Sequence, residues 1–202
     1  MSFKKRGFEK SLLIIAALFI TLTPEGILAS DNVLLDPGFE DTSAGQAPAF
    51  PPWREWYDTN EAMTGSTGGE VTDEVSHGGR HSAVRYVKGR TLSCYAQTVK
   101  VVPKEIIEGG IWIKTSKNFS NAKAYLRIEF KTKDGTIIQG VESKRITSPN
   151  KTWKLYTIEA VPVPDRAAVA VFCIFLMGKD KNSRGKAWFD DGYMYVKIKG
   201  LV

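Results

Sequence analysis

Ala124-Tyr125-Leu126-Arg127-Ile128-Glu129-Phe130-Lys131 alternates from residue to residue. Leu126, Ile128 and Phe130 fall on one side, and Tyr125, Arg127 and Glu129 on the other. Period two with one polar side predicts a β-strand half in a core and half in solvent. Lys133-Asp134-Gly135 follows, turn chemistry that starts a hairpin into Ile137. Working outward, other runs read the same way: Val33 to Leu35, closed by Pro37 and Gly38; Ser82 to Val87, after Gly78-Gly79; and Leu92 to Val102. In the last, Tyr95, Gln97, Val99 and Val101 alternate with Cys94, Ala96, Thr98 and Lys100. Ile111 to Thr115, Trp153 to Val161, Ala167 to Met177 and Ala187 to Ile198 complete the set, with a break at Pro162, Pro164 and Asp165, where proline removes ladder donors. No long stretch carries helical periodicity with caps at both ends. Many short strands at close spacing predict an all-β protein, a two-sheet antiparallel jelly-roll β-sandwich.

Residues 41–80 break the pattern. They are rich in Gly, Ser, Thr and Pro, hold Trp53, Trp56 and Tyr57, and read as a long loop whose aromatics either pin it to the core or face a ligand. Residues 1–30 have the layout of a secretory signal peptide: Lys4, Lys5, Arg6 and Lys10, an apolar run from Leu12 to Ile20, and Ile27-Leu28-Ala29-Ser30, with cleavage after Ala29 or Ser30. That run is well short of the ~20 apolar residues that span a bilayer. The expected domain is 31–202, secreted or held in a periplasm or at a cell surface, with no membrane attachment after cleavage. The leader carries four basic and two acidic residues, which takes the formal charge from +6 to +4 without it. Lys and Arg are scattered along the chain, which argues against nucleic acid. Cys94 and Cys173 each lie in a strand-like run, and the sequence leaves open whether they pair or remain buried thiols.

Four segments, in order, resemble the carbohydrate-binding module families four, nine and twenty-two, jelly rolls attached to cellulases and xylanases. They are Leu34-Leu35-Asp36-Pro37-Gly38-Phe39-Glu40; Gly78-Gly79-Arg80-His81-Ser82; Gln97-Thr98-Val99 with Pro103 and Gly110-Ile111-Trp112-Ile113-Lys114; and Trp153, Pro164 and Trp188-Phe189-Asp190-Asp191. The resemblance implies a structural calcium ion between opening and closing strands. Glu40 and Asp190 match the positions that give side-chain oxygens, helped by carbonyls near Gly38 and Ser82. Oxygen ligands of this kind suit Ca²⁺; without the resemblance, the two acids read as solvated strand ends.

A sugar ring offers an apolar C–H face and a rim of hydroxyls, so aromatics and planar polar groups recognise it together. Tyr125, Arg127 and Glu129 supply both on one strand face, as the family's binding sheet does; the alternative is an ordinary wet face with an ion pair. Trp53, Trp56 and Tyr57 are further candidates, whereas Trp112, Trp153 and Trp188 read as core. His77 and His81, with Asp73 and Glu74 nearby, sit on a Gly-rich loop that does not fix two imidazoles as a helix would. No G-x-S-x-G, P-loop or H-E-x-x-H occurs. Asp190 and Asp191, as strand neighbours, should face opposite ways and so not form a glycosidase pair. The expectation is a non-catalytic module for a polysaccharide or oligosaccharide, working beside a separate glycoside hydrolase. The competing expectations are a structural or adhesive surface sandwich without sugar binding, and a small glycan-active hydrolase.

Overall fold

The computed structural model describes residues 31–48 and 51–198. The expected signal peptide lies outside them. Ten strands run in chain order: β1 Arg54–Tyr57, β2 Ser66–Thr72, β3 Ser82–Lys88, β4 Thr91–Lys100, β5 Glu105–Thr115, β6 Ala122–Lys131, β7 Ile137–Glu142, β8 Lys154–Pro162, β9 Val169–Gly178 and β10 Arg184–Ile198. One sheet has the order β1-β4-β9-β6-β7 and the other β2-β3-β10-β5-β8, with every pairing antiparallel. Among the described residues, no helix is long and apolar enough to cross a membrane.

The alternation in 124–131 is realised as β6. Leu126, Ile128 and Phe130 are buried between the sheets against Phe172 and Ile174 of β9, Ile107, Ile111 and Ile113 of β5 and Phe189 of β10. Full burial of each such side chain contributes roughly 1.5–3 kcal/mol. The turn to β7 closes through Thr132 N–H to Thr136 O at 3.0 Å, with Gly135 at φ 90°. Its left-handed backbone is why glycine stands there.

Residues 41–80 are not one loop, since β1 and β2 form inside them. Gly68 and Gly69 hide β2 from a propensity reading, yet a Cβ at Gly68 would collide with the Tyr86 ring and one at Gly69 with the Tyr95 hydroxyl. Close packing, not a turn, fixes those glycines. The opening segment forms no ladder strand. Val33 N–H bonds Met194 O at 3.0 Å, and the Asn32 side chain clasps Gly192 O and the Met194 N–H. The Gln97 amide then takes both backbone groups of Leu35, accepting from its N–H at 2.7 Å and donating to its carbonyl at 3.0 Å.

Trp53 is a correction to its reading as a ligand residue. It is 1% exposed, tilted against Phe39 at 4.9 Å and edge-on to Phe172 at 6.2 Å, with its indole N–H on the Asp36 carbonyl. It plugs the core. Of the tryptophans read as core, Trp188 is buried at 7% exposure, whereas Trp112 and Trp153 are half-buried. All three fall outside the inter-sheet cluster, and Trp112 and Trp188 alternate with the buried Ile111, Ile113, Ala187 and Phe189, so they face outward on the second sheet.

Candidate functional site

Every second residue of the first sheet points away from the core, and the strand register sets these residues in rows. One row is Trp56, Cys94, Phe175, Tyr125. The next is Arg54, Ala96, Cys173, Arg127, Glu142, and the one after it Thr98, Val171, Glu129. All of these except Glu142 line a groove of about 800 Å³, rimmed by Leu35, Pro51, Pro52 and Ile137.

The floor is a small apolar cluster of its own, made of Cys94, Tyr125, Val171, Cys173 and Phe175. Tyr125 stacks on Phe175 at 5.3 Å and 13°, and the Arg145 guanidinium lies 5.1 Å from its ring centre. Tyr125 is therefore in the groove but only 4% exposed. Burial is the first cause that pushes its hydroxyl up to about 12, with the Glu142 carboxylate second. The aromatic surface still open is Trp56, 44% exposed and edge-on to Phe175 at 6.3 Å. Tyr57, its strand neighbour, takes the opposite side of β1 and does not line the groove.

Arg127 holds two carboxylates, Glu129 at 3.0 Å and Glu142 at 3.3 Å. Lys131 reaches Glu129 at 3.1 Å, and Arg145 pairs with Glu142. The Arg127 Nε–H, although close to Glu129, has no directed acceptor.

Cys94 and Cys173 sit on this floor as free, buried thiols, at diagonal positions of β4 and β9. Its contact with Cys94 and burial raise the Cys173 thiol well above the ordinary value. Phe175, Val171 and the cysteines went unseen as site residues in the sequence. The signal was there in Val169–Met177, a run without a single polar residue, which implies a strand covered on both faces.

A second locus joins the chain's opening and closing segments. Asp190 is 0% exposed. One carboxylate oxygen accepts from the His77 N–H at 2.6 Å and the Gly78 N–H at 3.3 Å, the other from the Asp191 N–H at 2.8 Å. Burial lifts this carboxyl to about 7, more than those bonds lower it. Glu40 accepts from the Arg80 and His81 N–H groups at 2.8 and 3.0 Å. Gly38 lies beside both acids: a Cβ there would stand 3.7 Å from an Asp190 oxygen and from the Glu40 side chain. Asp190 and Asp191 do not point to opposite faces as expected. Asp191 has φ 46°, and the β10 register shifts between Asp190 and Tyr193. This bulge turns both carboxylates toward Gly38.

The donor set is hard oxygen, with a buried carboxylate that no cation offsets among the described residues, and it fits a Ca²⁺ ion. Within those residues, no three His, Cys, Asp or Glu side chains converge enough to hold an ion unaided, so carbonyls would have to complete the shell. The histidines do not form the alternative site. His77 Nδ1 is 2.6 Å from Asp191 and its ring stacks on Trp112 at 3.9 Å, His81 Nδ1 lies 3.6 Å from Glu40, and Glu74 turns to Lys186.

No family model and no curated protein matches the sequence. Solved structures do match in fold. The TmCBM61 module, solved with β-1,4-galactotriose, superposes at TM-score 0.55 with 22% identity, over 82% of this chain and 99% of that one. The CBM22-1 xylan-binding domain of Xyn10C from Paenibacillus barcinonensis gives TM-score 0.53 with 16% identity, over 85% and 98%. The enzymatically active domain of tailspike protein 4 from bacteriophage CBA120 gives TM-score 0.61 with 15% identity, over 82% of this chain but only 21% of that one. The chain thus spans nearly the whole of the two modules and about a fifth of the tailspike. Its fold is the jelly roll of carbohydrate-binding modules.

Proposed function

We propose that this chain is a secreted, non-catalytic carbohydrate-binding module whose groove holds a polysaccharide or oligosaccharide. The observation that carries this is the pairing of an open indole, Trp56, with the Arg127 guanidinium and Glu129 carboxylate across one apolar floor. Trp56 would stack on the C–H face of a sugar ring, and Arg127 and Glu129 would bond its hydroxyls. Galactan and xylan are the first polymers to try, because modules of the same fold were solved with a galactotriose or described as xylan-binding. Glu129, the one carboxylate among the groove's lining residues, is paired with Arg127 and Lys131, whereas a glycosidase needs two carboxyls flanking the bond, one protonated and aimed at the leaving oxygen. A separate glycoside hydrolase would supply any chemistry, and neither nucleic acid nor a membrane surface is among the partners.

A structural calcium ion held by Glu40 and Asp190, with carbonyls near Gly38 and Ser82, belongs to the same reading. It would neutralise a buried carboxylate and fasten the opening segment to the end of β10. Affinity electrophoresis through gels carrying galactan, xylan or other neutral glycans tests the groove. Retardation by one polymer is expected, with Trp56→Ala weakening it by about tenfold or more. Free migration through the whole panel, or an unchanged Trp56→Ala protein, would defeat the reading. Release of reducing sugar would instead favour the hydrolase.

A further inference from the structure

Lys181, Arg184 and Lys186 lie within six residues of one another, and the fold brings Lys88 from β3 to join them around a second cavity of about 970 Å³ on the outer side of the second sheet. Glu74 is the one acid among its lining residues, and it meets Lys186 at 3.5 Å between two exposed side chains. Among the described residues, Lys88, Lys181 and Arg184 have no carboxylate partner.

Two features make this more than a scatter of surface lysines. The first is register. Arg184 stands directly opposite Lys88 across the β3–β10 ladder, and both face outward. Like charges in facing positions destabilise a sheet, so the pair costs stability unless something negative sits between them. The second is rigidity. Ser120 and Arg184 exchange both backbone hydrogen bonds, at 2.9 and 3.0 Å. The Ser183 hydroxyl bonds Asn121 O at 2.6 Å, and the Gly89 N–H bonds Ser183 O at 2.8 Å. Gly185, at φ 129°, presses on Phe119 where a Cβ would clash with its backbone. Three connections, β3–β4, β5–β6 and β9–β10, are thereby laced into one wall, so the backbone that carries Lys88 and Arg184 is fixed before any ligand arrives, although their side chains stay exposed. Trp188 is among the lining residues, and its buried Nε1–H has no hydrogen-bond partner.

We propose that this cavity is a second binding site, for an anionic group carried on a glycan, either a uronic-acid carboxylate or a sulfate ester. Charge complementarity selects the anion. The Asn118, Asn121 and Asn182 amides and the Ser116 and Ser120 hydroxyls among the lining suit the hydroxyls of the sugar that bears it. The site needs nothing from the groove on the other sheet, and it fails or stands independently of it.

The test is affinity electrophoresis of the full chain through polygalacturonate, dextran sulfate, unmodified dextran and a single-stranded thymidine oligonucleotide. Retention by polygalacturonate alone assigns a carboxylate, and by dextran sulfate alone a sulfate. Lys181→Ala with Arg184→Ala should cut that retention by roughly tenfold or more, leave the melting midpoint no lower than the parent's, because the Lys88–Arg184 repulsion is relieved, and leave neutral-glycan retention as it was. Lys181→Arg with Arg184→Lys should keep it. Affinity should also weaken as salt rises, as it must for exposed charges. The proposal is overturned if neither charged polymer is retained more than dextran, if the double variant binds like the parent, or if the oligonucleotide is held as tightly and lost in parallel, which would make this a generic polyanion patch. Lys88→Gln, on the facing strand β3, is the second variant should the first not fold.

Discussion

Arg85→Met is the substitution that best tests how the groove's open wall is held. Arg85 is 0% exposed, on the inner face of β3. It donates to Ser93 Oγ at 3.1 Å and to Glu55 Oε1 at 3.1 Å, and its guanidinium lies 4.4 Å from the Tyr95 ring centre. Glu55 faces Tyr95 across the β1–β4 ladder, so one arginine from the second sheet fastens the edge strand that carries Trp56. Methionine keeps most of the volume and removes the charge and both bonds. Breaking a buried ion pair by deleting one partner costs about 3–5 kcal/mol. Here Glu55 is 34% exposed and can reach water, which lowers the figure, and the Arg85 Nη2 atom that had no partner is also removed. The net expectation is about 2–3 kcal/mol, or roughly 4–12 °C in melting midpoint for a domain of this size. Urea unfolding and calorimetry would measure it, and a cycle with Glu55→Gln would isolate the pair. Glycan affinity should fall along with stability, because β1 loses its cross-sheet anchor. A variant as stable as the parent, or more so, would mean that the arginine's desolvation outweighs its contacts and that β1 is held by its ladder alone.

The Tyr125 hydroxyl, raised from 10 to about 12 by burial, gives a pH signature. The folded state keeps the proton longer than the unfolded one, so its contribution is complete below pH 10 and is lost as pH rises through about 12. Two units correspond to at most about 2 kcal/mol once solvent at the groove is allowed for. Tyr125→Phe should flatten that part of the alkaline stability curve, and identical curves would contradict the burial. Added calcium should raise the melting midpoint and a chelator should reverse it. Asp190→Asn should abolish the response, and a parent protein indifferent to both would remove the ion from the proposal. Cys94 and Cys173 should react with a thiol reagent only after unfolding, at two thiols per chain; a count of zero in denaturant would show that they are bonded to each other.

The strands of the sandwich were legible wherever polar and apolar residues alternate, even in β6, where Tyr125 and Glu129 on the outer face are buried. In β6 and β4 the polar half of the alternation marks its own boundary, and the core residues Leu126, Ile128 and Phe130 are where that pattern puts them. Reading failed where backbone geometry, not side-chain polarity, decides. β2 owes its glycines to Tyr86 and Tyr95 packing over them, and the outward turn of Asp191 depends on a bulge that strict alternation denies. The basic cavity was invisible for a related reason. Lys181, Arg184 and Lys186 are close in sequence, but Lys88 joins them only through strand register, which a linear scan for charge runs does not contain.

The groove shows the same limit from its most apolar strand. Alternation names two faces but not what covers each, and β9 is apolar on both. Ala170, Phe172, Ile174 and Leu176 are covered by the opposite sheet. Val171, Cys173 and Phe175 face the other way, and Tyr125 from β6, Trp56 from β1 and the Arg127–Glu129–Glu142 ion pairs surround them. A sheet whose outer face only met water would be expected to carry polar residues there, since alternation of polar and apolar residues is what half-solvated strands show. An apolar floor at the centre of a sheet, edged by paired charges and one open indole, fits a surface that is covered part of the time. The part-time cover it suits has an apolar face and a polar rim, as a sugar ring does.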